Sequence, residues 1–177
     1  MRRDARVLPE GVIPMSADLG DRASLVLPAE IDRLVYAVAP GGATDERYRA
    51  AYVTGLENVR DALLRSGAEI KRAILTTSTA VYAQDDGSWV DEDSAVSATG
   101  TAAYLLEGER VVRDGFARGI SLRLSGIYGP GRDRLVRAVA EQSARRPREP
   151  RWTSTPRRQR STTSKSCAGG WVIQAWT

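Results

Sequence analysis

The sequence predicts an α/β protein built on a doubly wound parallel sheet, and three observations carry the prediction. Short apolar runs, each too brief for a helix, recur through the first 144 residues. Most of them end abruptly in small, hydroxyl-bearing or Gly/Pro residues. Segments of helical length, apolar every three to four positions, lie between them. Strands buried on both faces read as unbroken apolar runs, and helices alternating with them act as crossovers between parallel neighbours. The clearest run is Arg72-Ala-Ile-Leu-Thr-Thr-Ser-Thr-Ala-Val-Tyr-Ala-Gln84, which turns at Thr76 from aliphatic to hydroxyl side chains. Open α/β sheets place their ligands at that carboxyl end of a strand.

Taken in order, residues 1–10 are polar and carry Arg2, Arg3 and Arg6. Gly11 to Leu19 reads as a short strand ending in a loop at Asp18. Asp21 to Ile31 reads as a short helix broken by Pro28. Arg33 to Ala39 is a buried strand stopped by Pro40-Gly-Gly42. Thr44 caps the next helix, and Asp45 and Glu46 in its first turn complement the helix dipole. That helix runs to about Arg65 on the apolar positions Tyr48, Ala51, Tyr52, Gly55, Val59 and Leu63, and Ser66-Gly67 ends it. A strand over 72–77 follows, then an acidic loop at Asp85–Asp93 and a helix from about 98 to 118. Ile120 to Leu124 is the next strand and Arg132 to Ala144 the last helix. The expected order is β-α-β-α-β-α-β-α.

Composition narrows the function classes. A chain of 177 residues holds one domain with a sizeable core. It has no run of about 18 apolar residues to span a bilayer and no apolar leader after Met1-Arg-Arg-Asp. Cys167 is the single cysteine, which forbids an intramolecular disulfide and fits a reducing, cytoplasmic setting. With no histidine, His-based triads and histidine-ligated metals are excluded, so no metal site is expected. The net charge of +4 is uneven: residues 145–177 hold eight Lys/Arg and one Glu, leaving 18 basic and 21 acidic residues elsewhere. The body, residues 1–144, is thus slightly acidic, and residues 145–177 read as a disordered, basic, Arg/Ser/Thr/Pro-rich tail. Nucleic-acid binding by the body is disfavoured. The acidic loop lacks the ligand spacing of an EF-hand and reads as solvated.

Several motifs together resemble the extended short-chain dehydrogenase/reductases, the group containing the NAD(P)-dependent epimerases and dehydratases. Thr77-Ser-Thr-Ala-Val-Tyr-Ala83 is similar to that family's Ser/Thr-rich strand end before Val-Tyr-Gly, with Ala83 in place of the glycine. Val53, Gly55 and Asn58 match its helix pattern Asn-Val-x-Gly-Thr-x-Asn. Leu106-Glu-Gly-Glu109 matches the segment after its active-site lysine, and Arg123-Leu-Ser-Gly-Ile-Tyr-Gly-Pro-Gly131 matches its Arg-x-x-x-Val-Tyr-Gly-Pro-Gly. The resemblance covers about residues 1–144. It implies that Ser78 contacts the substrate oxygen and that Thr77 lies at the cofactor. It places Arg2, Arg3, Asp18 and Leu19 on the adenosine side and Ala37, Val38 and Ala39 beneath the cofactor ribose. The implied cofactor is NAD or NADP, with NADP favoured by Arg2 and Arg3. The implied partner is a small molecule such as a nucleotide sugar, with a homodimer as the assembly.

Three departures qualify this. The family's Tyr-x-x-x-Lys proton relay is absent: Thr101 stands at the tyrosine position and Leu105 at the lysine position, as in an atypical branch of these proteins. No Gly-x-Gly-x-x-Gly pyrophosphate turn exists in the chain. The pattern stops after Ala144. The resemblance therefore implies a partial Rossmann-like sheet lacking the first strand–helix unit, with weak or no catalysis. A catalytically silent binding module is the alternative.

Overall fold

The computed structural model describes residues 11–127, 129 and 133–141. Three strands form a parallel sheet: β1 (Arg33–Tyr36), β2 (Arg72–Ser78) and β3 (Gly119–Leu124), in the order β1-β2-β3. Leu34 pairs with Ala73 and Tyr36 with Leu75; on the other edge of β2, Ala73 pairs with Gly119 and Thr77 with Arg123. β1 and β2 are joined through α1 (Asp45–Arg49), a π-helical turn over Ala50–Thr54 and α2 (Gly55–Ser66). β2 and β3 are joined through α3 (Ala102–Gly115), and α4 (Arg134–Ala140) follows β3. This is part of a Rossmann-like α/β fold.

Strand order equal to chain order has a consequence. Right-handed crossovers that step across a sheet in one direction all leave their helices on one face. Burial agrees. Leu34, Tyr36, Ala73 and Leu75 pack with Leu56, Val59, Leu63 and Val112 in a single core. The side chains of β3 that point the other way, Ile120, Leu122 and Leu124, are 40%, 44% and 39% exposed.

Close packing on the covered face is built from glycine. A Cβ at Gly108 of α3 would lie 2.6 Å from the Tyr52 carbonyl oxygen, and one at Gly119 would overlap the Val112 carbonyl. At Gly55 it would stand 2.9 Å from both the Ala50 carbonyl and the Tyr36 hydroxyl. The π-turn serves the same junction. Gly55 N–H bonds to the Ala50 carbonyl, while the Ala51 carbonyl accepts the buried Tyr36 hydroxyl at 2.5 Å. Burial pushes the Tyr36 phenol well above its usual range, and the nearby Tyr52 adds to it. Gly67, at φ 76°, closes α2 in the left-handed conformation that glycine adopts without strain.

The structure corrects several expectations. Gly11 to Leu19 forms no strand, and Asp21 to Ile31 is not a helix. Local polar bonds take the backbone instead: Asp18 N–H reaches the Ser24 hydroxyl at 3.0 Å, Gly20 N–H the Asp18 carboxylate at 2.8 Å, and Ala23 N–H the Asp21 carboxylate at 2.9 Å. Beyond them Leu25 and Leu27 are buried while Val26 is 75% exposed, the alternation of extended chain. The helix expected from 98 begins at Ala102, because Val96 first bridges Tyr82 in an antiparallel pair. It stops at Gly115, three residues short, where Phe116 turns extended to lead into β3. The expected helix from Arg132 to Ala144 is present over Arg134–Ala140. The tail at 145–177 lies outside the described residues.

Candidate functional site

The carboxyl ends of β1, β2 and β3 converge on one edge of the sheet, with the central β2 supplying the hydroxyls. Alternation along β2 divides them. Thr77 points to the helix-covered face and is 6% exposed, whereas Ser78 stands on the opposite side and is half-buried. The Ser78 hydroxyl accepts the Ala80 N–H at 3.2 Å and so caps the single 3₁₀ turn over Thr79–Val81. That turn packs against α3. Thr101 occupies the N-cap position of α3 and makes no side-chain capping bond. The structure thus brings the segment after Ser78 and the helix that opens at Thr101 together at one end of β2.

Thr77 is not free to meet a ligand with its hydroxyl. It donates to Oε1 of Glu109 at 2.9 Å. The same carboxylate receives Arg123 twice, Nε to Oε1 at 3.0 Å and Nη2 to Oε2 at 2.7 Å. Glu109 is 6% exposed, so the bidentate pair is what makes burying this charge tolerable. On its other side the Arg123 guanidinium carbon lies 5.0 Å from the centre of the Tyr82 ring, within cation–π range. Hydrogen bonding to Glu109, with help from Tyr82 and against burial, holds Arg123 charged well beyond its usual range. One ion pair therefore ties together the end of β2, the end of β3, α3 and the residue that opens the acidic loop.

On the β1 side, Ala37 and Ala39 are exposed past the last paired residue, and Val38 between them is buried. Asp18 is exposed and turns its carboxylate back onto Gly20. Leu19 is fully enclosed in the core, and its carbonyl accepts Asn58 Nδ2 at 2.8 Å, which moors this loop to α2. Only its backbone is available to a ligand. Arg2 and Arg3 lie outside the described residues. The loop at Asp85–Asp93 is closed by the Tyr82–Val96 bridge and folded by its own carboxylates. Asp86 takes the Ser88 N–H at 2.9 Å, and Asp91 takes the Ser94 hydroxyl at 2.7 Å. These bonds lower both carboxyl pKa values. Among the described residues no group of three or more Cys, Asp or Glu could hold a metal, and no helix is long and apolar enough to cross a membrane.

Glu109, Arg123 and Tyr82 were absent from the sequence-based set of site residues. The available signal was a Glu on the buried face of an amphipathic helix together with an Arg in mid-strand, two charges that burial forces to find partners.

With this geometry established, the solved structures are informative. A structure assigned as an NAD-dependent epimerase/dehydratase from Methylobacillus flagellatus superposes with a TM-score of 0.61 at 33% identity over 80% of the chain. The chain has part of an epimerase/dehydratase fold. RMD from Pseudomonas aeruginosa, solved with NADPH, matches over 74% of the chain at 21% identity and TM-score 0.58. MoeE5, solved with UDP-glucose and NAD, matches over 69% at 24% identity and TM-score 0.52. These last two carry the fold alone. The chain spans 46–50% of the length of these three structures. No protein-family model matches the chain, and comparison with curated proteins gave no match. The epimerase/dehydratase-like fold is thus a finding of structure, in accord with the motifs quoted above.

Proposed function

We propose that the chain is an NAD(P)-binding, epimerase/dehydratase-like protein whose ligand end is the carboxyl edge of β1-β2-β3. The observation that carries this reading is Ser78: a half-buried hydroxyl at the end of the central parallel strand, facing away from the pinned Thr77. In this reading Ser78 contacts a hydroxylated small molecule of the nucleotide-sugar type, and Ala37, Val38 and Ala39 lie beneath the cofactor ribose. Ala37 and Ala39 present small exposed side chains there, and the Val38 side chain turns inward. Asp18, the Leu19 backbone and the arginines Arg2 and Arg3 take the adenosine side, and Thr101 borders the substrate.

Exposed Ala37 and Ala39 at the end of β1 support the ribose side of this reading, while the sequence holds no Gly-x-Gly-x-x-Gly turn for a pyrophosphate and α1 does not replace it. Thr44 already caps α1, and Asp45 and Glu46 in its first turn repel an anion. A nicotinamide, when bound, supplies hydride exchange with a substrate carbon; the chain's own residues bind and orient. Proton exchange is the weak step. Leu105, at the position of the relay lysine, is 3% exposed in the core, so no base stands there. That observation favours a second reading, a catalytically silent binding module.

A thermal melt with and without NADPH tests the proposal. A ligand that binds only the folded state stabilises it by about 2.7 kcal/mol at a hundredfold excess over Kd. An upward shift with NADPH that Ser78→Ala leaves intact, with loss of sugar-nucleotide binding in that variant, is the expected result. A cooperative melt unmoved by NADPH, NAD or UDP-glucose rejects nucleotide binding.

A further inference from the structure

We propose that the open face of the sheet docks a second copy of this chain, packed face to face with its strands antiparallel to those of the first. The inference goes beyond the nucleotide reading and does not rest on it. The resemblance implies a homodimer without a surface to make it, and the face opposite the helices supplies one. Register and alternation define that face row by row. Arg33 and Arg72 are paired at its amino end, and Val35, Ile74 and Ile120 form the next row. Thr76 and Leu122 form the third, and Ser78 and Leu124 the rim at the carboxyl end. Val35 and Ile74 are half-buried, and Ile120, Leu122 and Leu124 are each about two-fifths exposed. These exposures hold with α4 in place. Aliphatic side chains left open side by side across three strands make a contiguous apolar patch, unlike single hydrophobic residues scattered on a surface.

Charge selects the occupant and its orientation. Arg33 and Arg72 stand directly opposite each other, and Arg118 precedes β3 beside them, its carbonyl accepting the Ala73 N–H at 3.0 Å. Like charges on adjacent strands repel. Arg33 reaches Asp32 at 4.0 Å, a carboxylate it shares with Lys71 at 3.4 Å, while Arg72 and Arg118 have no ion pair among the described residues. At the other end of β2, beyond the Ser78 turn, the exposed loop carries Asp85, Asp86, Asp91, Glu92 and Asp93, with Trp89 68% exposed. The sheet is therefore basic at its amino end and acidic at its carboxyl end. Stacking two copies with parallel strands would set arginine row over arginine row. A two-fold axis across the strands instead turns each copy's arginines toward the other's acidic loop. Size makes the contact modest. Three strands of this length present a face about 14 Å wide and 20 Å long, short of the roughly 800 Å² per partner in a stable complex. The loop with Trp89 must complete it, and the dimer should be weak and salt-sensitive.

Sedimentation equilibrium of the full chain over the micromolar range tests this, with a thermal melt of each variant. A reversible monomer–dimer equilibrium is expected, weakening several-fold between about 0.1 M and 1 M salt as the Debye length falls from about 10 Å to 3 Å. Leu122→Lys puts a charge at the centre of the face and should leave the chain monomeric. Arg72→Glu should weaken the dimer about tenfold, yet melt no lower, because it relieves the arginine row; misfolding then cannot account for the loss. Glu92→Arg with Asp93→Arg should weaken it likewise. Adding Arg72→Glu to that pair should restore most of the association, because the exchanged charges face each other again. A chain that stays monomeric, with the face bare or covered by its own residues 142–177, overturns the inference. So does a dimer that persists in Leu122→Lys, which sits on another face, or a charge exchange that fails to restore association.

Discussion

Breaking the Glu109–Arg123 pair at one end differs from removing it at both. Arg123→Leu leaves the Glu109 carboxylate buried with only Thr77 for a partner, a loss on the order of 3 kcal/mol. Adding Glu109→Gln should restore most of it, since no charge is then left stranded. Urea unfolding checks this: the midpoint should drop in the single variant and recover in the double, with the m-value constant. Tyr36 gives a second prediction at the same scale. Its phenol is raised from 10.0 by burial, so the folded state holds the proton more tightly than the unfolded one. The stabilisation this represents is fully present below pH 10 and is lost as pH rises toward the folded value. Tyr36→Phe should leave the Ala51 carbonyl without its hydroxyl partner, cost about 1–3 kcal/mol at neutral pH, and flatten the decline in stability above pH 10. Melts from pH 7 to pH 11 of both proteins would show it; parallel curves would mean that another group controls the alkaline limit.

The helix from Asp45 to Ser66 shows what the sequence revealed about elements and what it hid. Its cap at Thr44, its acidic first turn and its glycine stop at Gly67 were legible because each depends on neighbours within four residues. Its π-turn was not, because the cause lies far away in the chain: the Tyr36 hydroxyl and the close approach of α3 at Gly108. The same distinction explains Gly11 to Leu19. An apolar run read as a strand lacks any paired neighbour among the described residues, and Asp18 and Ser24 fold it locally instead. At the site, the strand end and Ser78 were legible as hydroxyls after an aliphatic run, whereas Thr77's inward turn depends on which face Glu109 occupies. Gly55 makes this testable. In an ordinary helix interior Gly→Ala stabilises by about 1 kcal/mol. Here the new Cβ would meet the Ala50 carbonyl and Tyr36 hydroxyl at 2.9 Å, so Gly55→Ala should destabilise by about 1–3 kcal/mol. Thermal denaturation decides between the two signs.

Over the whole molecule the two faces of the sheet are unequal, and the inequality follows from topology rather than from composition. Parallel strands laid down in chain order receive both crossover helices on one side, so the side chains of β2 divide between a packed core and a thinly covered face. Leu75 is fully buried, while Leu122 on β3, directed to the other side, remains 44% exposed. Equal aliphatic residues should therefore carry unequal weight. Leu75→Ala should cost about 2–5 kcal/mol through lost burial and the cavity left behind. Leu122→Thr, which keeps strand propensity and removes only half-exposed apolar surface, should cost no more than about 0.5 kcal/mol. The comparison is informative in both directions. A small loss at Leu122 establishes a sheet that stands on one helical layer, with an apolar second face turned to solvent. A loss as large as that at Leu75 means instead that the second face is packed in the folded protein, and that the stability of this Rossmann-like sheet comes from both of its sides.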